Sequence, residues 1–254
     1  MPRTARKRSE SGIYHVLLRG INKQLIFEEP ADYEQFIGIL SEIKDISGLK
    51  LFAYCMMSNH VHILLKEGKE PVSQIMKRIG ARYVFWFNWK YQRNGHLFQD
   101  RFLSEPVDSN AYFITVLAYI YQNPVKAGIS EKTTDYQWSS RRLLGKSSII
   151  DEAELADIVS VKEIQALDGQ VFSEAILEPK IGRRQQMTDE VAFEKMKELG
   201  SIKTVAEFQS LDREVQAEVF VQLSHQGASI RQLSRLSGLS KGVVDRLKGQ
   251  QQAN

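Results

Sequence analysis

The first half of the chain changes hydrophobic period in a fixed order, and that order restricts the fold more than any single residue does. Ile13 to Arg19 is a short apolar run of strand length, closed by Gly20. Pro30 to Ile46 carries Tyr33, Phe36, Ile37 and Leu40 at helical spacing and stops at Gly48. Leu49 to Met57 reads as a second strand. Ser58-Asn59 is a tight turn without the glycine of the strongest hairpin signals, and the apolar run from His60 to Leu65 is a third strand. Pro71 opens a long helix whose stripe is Val72, Ile75, Met76, Ile79, Tyr83 and Trp86. Arg101 to Val107 fits a fourth strand. Asp108 or Ser109 caps a further helix, which Asn123-Pro124 is expected to end. A β-α-β-β-α-β order is the ferredoxin-like split. The expected class is therefore α+β: an antiparallel sheet with two helices on one face and the other face open to a ligand, with the extra helix free to cover part of it.

Composition narrows the setting. A hydrophobic content of 43% over 254 residues is enough for a real core. No apolar run approaches eighteen residues, so no membrane span is expected. The basic N-terminus has no apolar segment behind it and does not read as a secretory signal. Cys55 stands alone, which excludes an internal disulfide and a cysteine-rich zinc site; the simplest location is cytoplasmic. Charge is uneven: residues 1–150 carry +7, residues 151–226 carry −8, and the last 28 carry +4. Basic ends around an acidic middle fit two nucleic-acid-facing parts joined by a scaffold. The expected division is 1–145, 146–225 and 226–254, with the middle part helical.

His60-Val61-His62 is the most pointed local feature. Side chains alternate faces along a strand, so both imidazoles point to one side, roughly 6 to 7 Å apart. That is a suitable bite for one metal ion. On the helix after the fourth strand, Phe113, Val116, Leu117 and Ile120 form the core stripe, while Tyr119 and Asn123, four apart, share a flanking face. Tyr112 is on the same flank and Tyr121 is on the opposite side.

Four fragments resemble a known family when taken in order. They are Tyr14-His15-Val16 with Arg19-Gly20; Met57-Ser58-Asn59-His60-Val61-His62; Gly95-His96-Leu97-Phe98-Gln99 with Arg101-Phe102; and Tyr119-Ile120 followed by Asn123-Pro124-Val125-Lys126-Ala127-Gly128. Together they look like the single-tyrosine transposases of the HUH superfamily, in the branch associated with repetitive extragenic palindromes. The resemblance covers roughly residues 10–145. It implies a transposase that cuts and rejoins single-stranded hairpin DNA through a covalent 5′-phosphotyrosine. It also implies that His60 and His62 hold a divalent metal, that Tyr119 is the nucleophile, and that Asn123 is an amide-type third ligand. Many members of the branch have a histidine where this chain has Tyr121, which makes Tyr121 the rival nucleophile to test.

A phenol has a pKa near 10 and must lose its proton during attack. Two imidazoles and an amide suit Mn, Zn or Co better than Mg. The resemblance implies Mg or Mn, and Mn satisfies both arguments. A closed structural zinc site wants four protein ligands, and Cys55 is expected on the opposite strand parity from the histidines. His15 and His96 are expected to serve structure or substrate contacts, and His225 the surface.

The expected DNA contacts begin with a basic arm, Arg3, Arg6, Lys7 and Arg8, reaching phosphates. Arg19, Arg101 and Lys126 sit inside the matched fragments. On the second helix Arg78 and Arg82, with Lys77, are interleaved with Trp86, Phe87, Trp89 and Tyr91, a pattern that suits base stacking. Residues 229–247 read as a helix, a glycine turn, a Ser240 cap and a second helix: a helix-turn-helix that would present Lys241 and Arg246 to duplex DNA as a second partner. The competing reading is a non-catalytic DNA-binding regulator that uses only this segment. The sequence leaves monomer or homodimer open.

Overall fold

The computed structural model describes residues 7–146, 148–168 and 187–252. Its first half contains β1 (Ile13–Arg19), α1 (Pro30–Ser47), β2 (Lys50–Met57), β3 (His60–Lys66), α2 (Val72–Lys90), β4 (Leu103–Pro106) and α3 (Asn110–Lys126). The strands form one antiparallel sheet in the order β2-β3-β1-β4. This is the ferredoxin-like arrangement expected from the order of periods.

Local chemistry sets the boundaries. Asp32 turns back to accept the backbone N–H groups of Glu28 and Glu29, satisfying donors at the start of α1. Gly48 ends α1 in the left-handed region at φ 66°. Ser109 accepts from Tyr112 N at 3.2 Å and caps α3. Asn123-Pro124 does not end α3, contrary to expectation: the helix runs on to Lys126. A proline this close to a C-terminus leaves only the carbonyl of Ile120 without its helical donor. The N–H groups of Ala127, Gly128 and Ile129 close the end by binding the carbonyls of Asn123, Val125 and Pro124.

Period-two alternation divides the sheet. Tyr14, Val16, Leu18, Val61, Ile63 and Leu65 are buried in the core that also holds the apolar stripes of α1 and α2, two helices packed on each other. α3 lies over the other face, where Tyr119 meets His62 and Phe113 meets Phe52. The extra helix thus covers the face left open by the ferredoxin-like plan.

The rest of the described chain is helical. α4 (Glu152–Ala156) and α5 (Val161–Leu167) bury Leu155, Ile164 and Leu167 in the first core. α6 (Asp189–Gly200), α7 (Val205–Ser210), α8 (Arg213–His225), α9 (Ile230–Ser237) and α10 (Lys241–Gln252) build a second core that runs from Met187 to Leu247, with Leu25 reaching in from the first half. α9 ends on Gly238 in the left-handed region at φ 67°, and Ser240 accepts from Val243 N at the start of α10. Among the described residues no helix is long and apolar enough to cross a membrane.

Candidate active site

β3 and β1 set the floor of the site. Their register pairs Arg19 with His60 and Leu17 with His62, and His15 with Leu64. Directly paired residues of an antiparallel ladder point to the same face, so His15, Arg19, His60 and His62 all face α3. His60 and His62 have ring centroids 5.0 Å apart with perpendicular planes. The Tyr119 ring stands edge-on to His62 at 5.3 Å. His60 Nε2 lies 3.4 Å from Asn123 Oδ1. Tyr119 and Asn123, expected together on one flank of their helix, thus reach the histidines; both are buried, Tyr119 at 3% exposure.

Cys55 lies opposite His62 and shares its face, against the parity expectation. The two-residue turn Ser58-Asn59 pairs Met57 with His60, so odd positions on β2 match even positions on β3. Cys55 is nonetheless wholly buried, with its thiol against Met57 Sδ at 3.7 Å, and burial pushes its pKa up.

Burial controls protonation here. It lowers His60 to about 4, with Arg19 adding to the effect, and lowers His15 to about 3. His62 is also lowered by burial and by its two histidine neighbours. All three are neutral imidazoles near pH 7, as a cation site requires. His15 Nε2 is 2.9 Å from His62 Nδ1. If His62 binds a cation through Nε2, its Nδ1–H must donate to His15, which fixes both rings.

The donor set fits a divalent ion. His60 Nε2 and Asn123 Oδ1 face each other at a separation that two donors about 2.1 Å from one ion can span. Among the described residues no three His, Cys, Asp or Glu side chains converge on a metal position. The set is instead two imidazoles and an amide.

Cations lie around Tyr119. Lys126 Nζ sits 4.8 Å above the Tyr119 ring. Burial lowers the pKa of Arg19, which feels Asp189, Arg235, Glu190 and Tyr119, and its Nε is buried without a hydrogen-bond partner among the described residues. Asn59 lies inside a matched fragment without an expected role, and Lys23, Asp189, Glu190 and Arg235 are not among the expected site residues. Asp189 and Arg235 lie far along the chain, and only folding brings them near.

The other expected residues are dispersed. Tyr121 is buried on the opposite side of α3, near Arg141 and Ser140, with its pKa raised by burial. Arg78 and Arg82 lie on α2, across the sheet from the histidines, paired with Glu70 and Glu42. Trp89 is exposed on that helix, whereas Phe87 is buried. Arg101, Lys241, Arg246, His96 and His225 are exposed. Lys7 and Arg8 are exposed as well; Arg3 and Arg6 lie outside the described residues.

Residues 9–123 match the family described as "Transposase IS200 like". One similar solved structure is a REP-associated tyrosine transposase bound to a REP hairpin. It is 18% identical, with a TM-score of 0.49, over 72% of this chain and 98% of that one. Another is a putative transposase from Deinococcus radiodurans R1, 17% identical, with a TM-score of 0.34, over 49% of this chain and 97% of the other. No curated protein matches the chain.

Proposed function

From the match of residues 9–123 to the IS200-like transposase family and the geometry of the site, we propose that this chain cleaves and rejoins single-stranded hairpin DNA with Tyr119 as nucleophile. The observation that carries this reading is the convergence of Tyr119, His60, His62 and Asn123 from two elements onto one largely buried point. Nothing in the packing of a sheet requires a tyrosine, two neutral imidazoles and an amide to meet.

His60, His62 and Asn123 would hold the ion, Mn or Mg. When bound, it draws on a non-bridging phosphate oxygen and stabilises the charge of the transition state. The Tyr119 oxygen attacks phosphorus, a P–O bond to tyrosine forms, and the bond to the 3′-oxygen breaks. The phenol proton passes to solvent, and the leaving 3′-oxygen takes one up. Lys126 above the ring favours phenolate character. Arg19, with an unused buried N–H, would donate to a phosphate oxygen. The phosphotyrosine conserves the energy of the phosphodiester, so another 3′-hydroxyl can reverse the step.

The remaining contacts are part of the same proposal. Arg101, Lys7 and Arg8, with Arg3 and Arg6 ahead of them, follow the strand's phosphates. Arg78 and Arg82 beside exposed Trp89 offer a second track on α2. Lys241 and Arg246 on α10 address duplex DNA.

Incubating the full chain with hairpin DNA and Mn tests the reading through a covalent protein–DNA adduct. The adduct is expected to vanish in Tyr119→Phe and in EDTA and to persist in Tyr121→Phe. Persistence in Tyr119→Phe sinks the assignment. DNA binding by wild type with no adduct under any metal would favour the regulator reading instead.

A further inference from the structure

Asn59 precedes His60 in the turn between β2 and β3, and its side chain joins two groups. Its Nδ2 donates to Asp189 Oδ2 at 3.2 Å, and its Oδ1 stands 2.6 Å from His60 Nδ1. A carboxylate can only accept, so the amide nitrogen must face Asp189. Asn59 Oδ1 must then be the acceptor toward the imidazole, and His60 Nδ1 must carry the proton. A neutral imidazole has one N–H, so Nε2 is left bare, on the side facing Asn123 Oδ1.

We propose that Asp189, carried by the C-terminal helices, is a positioning residue of the metal centre: through Asn59 it holds His60 in the tautomer whose Nε2 can bind the ion. The proposal rests on the reading of His60 as a ligand. Without the carboxylate, the Asn59 amide is free to turn over. Its nitrogen would then donate to His60 Nδ1, move the imidazole proton to Nε2 and block the ligand atom.

Asp189 is itself held in place. It is buried at the first position of α6. Arg235 of α9 grips both carboxylate oxygens, with Nε at 3.0 Å from Oδ2 and Nη2 on Oδ1. Gln232 of α9 donates to Oδ1 at 3.0 Å and to Met187 O at 3.1 Å. Next to it, Thr188 Oγ1 donates at 3.0 Å to Ala127 O, just past the helix that bears Tyr119 and Asn123. The carboxylate therefore lies on the seam between the two cores. Seating of α6 and α9 against Asn59 and affinity for the ion become one coupled quantity.

The test is the tautomer of His60, read by long-range ¹H–¹⁵N correlation on the metal-free full chain, with the signal assigned by its loss in His60→Gln. Wild type is expected to show Nδ1–H with bare Nε2; an Nε2–H form in wild type overturns the proposal without any variant. Asp189→Asn is expected to give a mixture of tautomers and to weaken Mn²⁺ binding, read by titration calorimetry, by about tenfold. The exchange Asn59→Asp/Asp189→Asn re-forms the relay with donor and acceptor swapped, and is expected to restore the Nδ1–H form. A folded Asp189→Asn protein that keeps a pure Nδ1–H His60 and binds Mn²⁺ within about twofold of wild type overturns it. Wild type with Nδ1–H His60 and no Mn²⁺ binding would strike the ligand reading of His60 and leave the tautomer assignment standing.

Discussion

On β3, Val61, Ile63 and Leu65 point to one face of the sheet, and His60, His62 and Leu64 point to the other. β1 repeats the division, with Tyr14, Val16 and Leu18 against His15, Leu17 and Arg19. The α1–α2 side is an apolar core of the ordinary kind, held by burial of aliphatic and aromatic surface. The α3 side is also largely buried, with His60 and Arg19 half-buried, but carries three imidazoles, a guanidinium and a tyrosine. Burying such groups is unfavourable unless they are paired or neutral. This side meets that condition for its three histidines by keeping them neutral and tying them into two relays, His15 to His62 and Asn59 to His60. One set of strands thus separates stability from chemistry by side-chain parity alone.

Substitutions on the two faces can break that comparison. The largest effect is expected from His62→Ala, which should lower adduct formation by about 10³-fold, the scale of losing one group that stabilises transition-state charge. Equal loss of adduct from Ile63→Ala, after correction for the folded fraction, would show that the faces are not separable. That change should instead cost about 2 to 5 kcal/mol in denaturant unfolding, because it leaves a cavity in a close-packed core. His15→Phe fills the same space but removes the partner of His62 Nδ1. Mn²⁺ binding should weaken about tenfold, measured by calorimetry, with the fold retained.

A fourth test addresses the seam between the cores. Burial raises the pKa of Glu28 from its ordinary 4.5 to about 7, although Val205 N–H donates to the carboxylate at 2.9 Å. A raised carboxyl pKa means that the folded state binds the proton more tightly than the unfolded state. The stability it contributes is present below pH 4.5 and is lost as pH rises through about 7. Glu28→Gln should flatten that decline, seen as a smaller fall in Tm between pH 5 and 8 than in wild type. The smallest effect is expected from Arg78→Ala with Arg82→Ala. These side chains sit across the sheet and already have carboxylate partners, so hairpin binding should fall by less than about threefold. A larger loss would make the α2 side a principal DNA path.

Much of this was legible in the chain. Period changes gave the β-α-β-β-α-β order, since a strand and a helix bury different sets of positions. The spacing of His60 and His62, and of Tyr119 and Asn123, fixed which pairs share a face. The face of Cys55 differs from the expected one because a two-residue turn couples odd to even positions, and that register is a property of the hairpin. The end of α3 was misplaced because a proline near a helix terminus removes a donor without stopping the helix.

Periodicity and spacing are local, so the sequence by itself determined the elements, the shared faces and the side chains able to do chemistry. Tertiary structure alone decided how fully α3 closes over the histidine face, that His15 meets His62, and that Asp189 reaches Asn59 from a separate core. Each of those contacts joins residues distant in the chain through a single hydrogen bond or ring contact. Such a contact has no repeating pattern, and only the packing of whole elements brings its partners within reach.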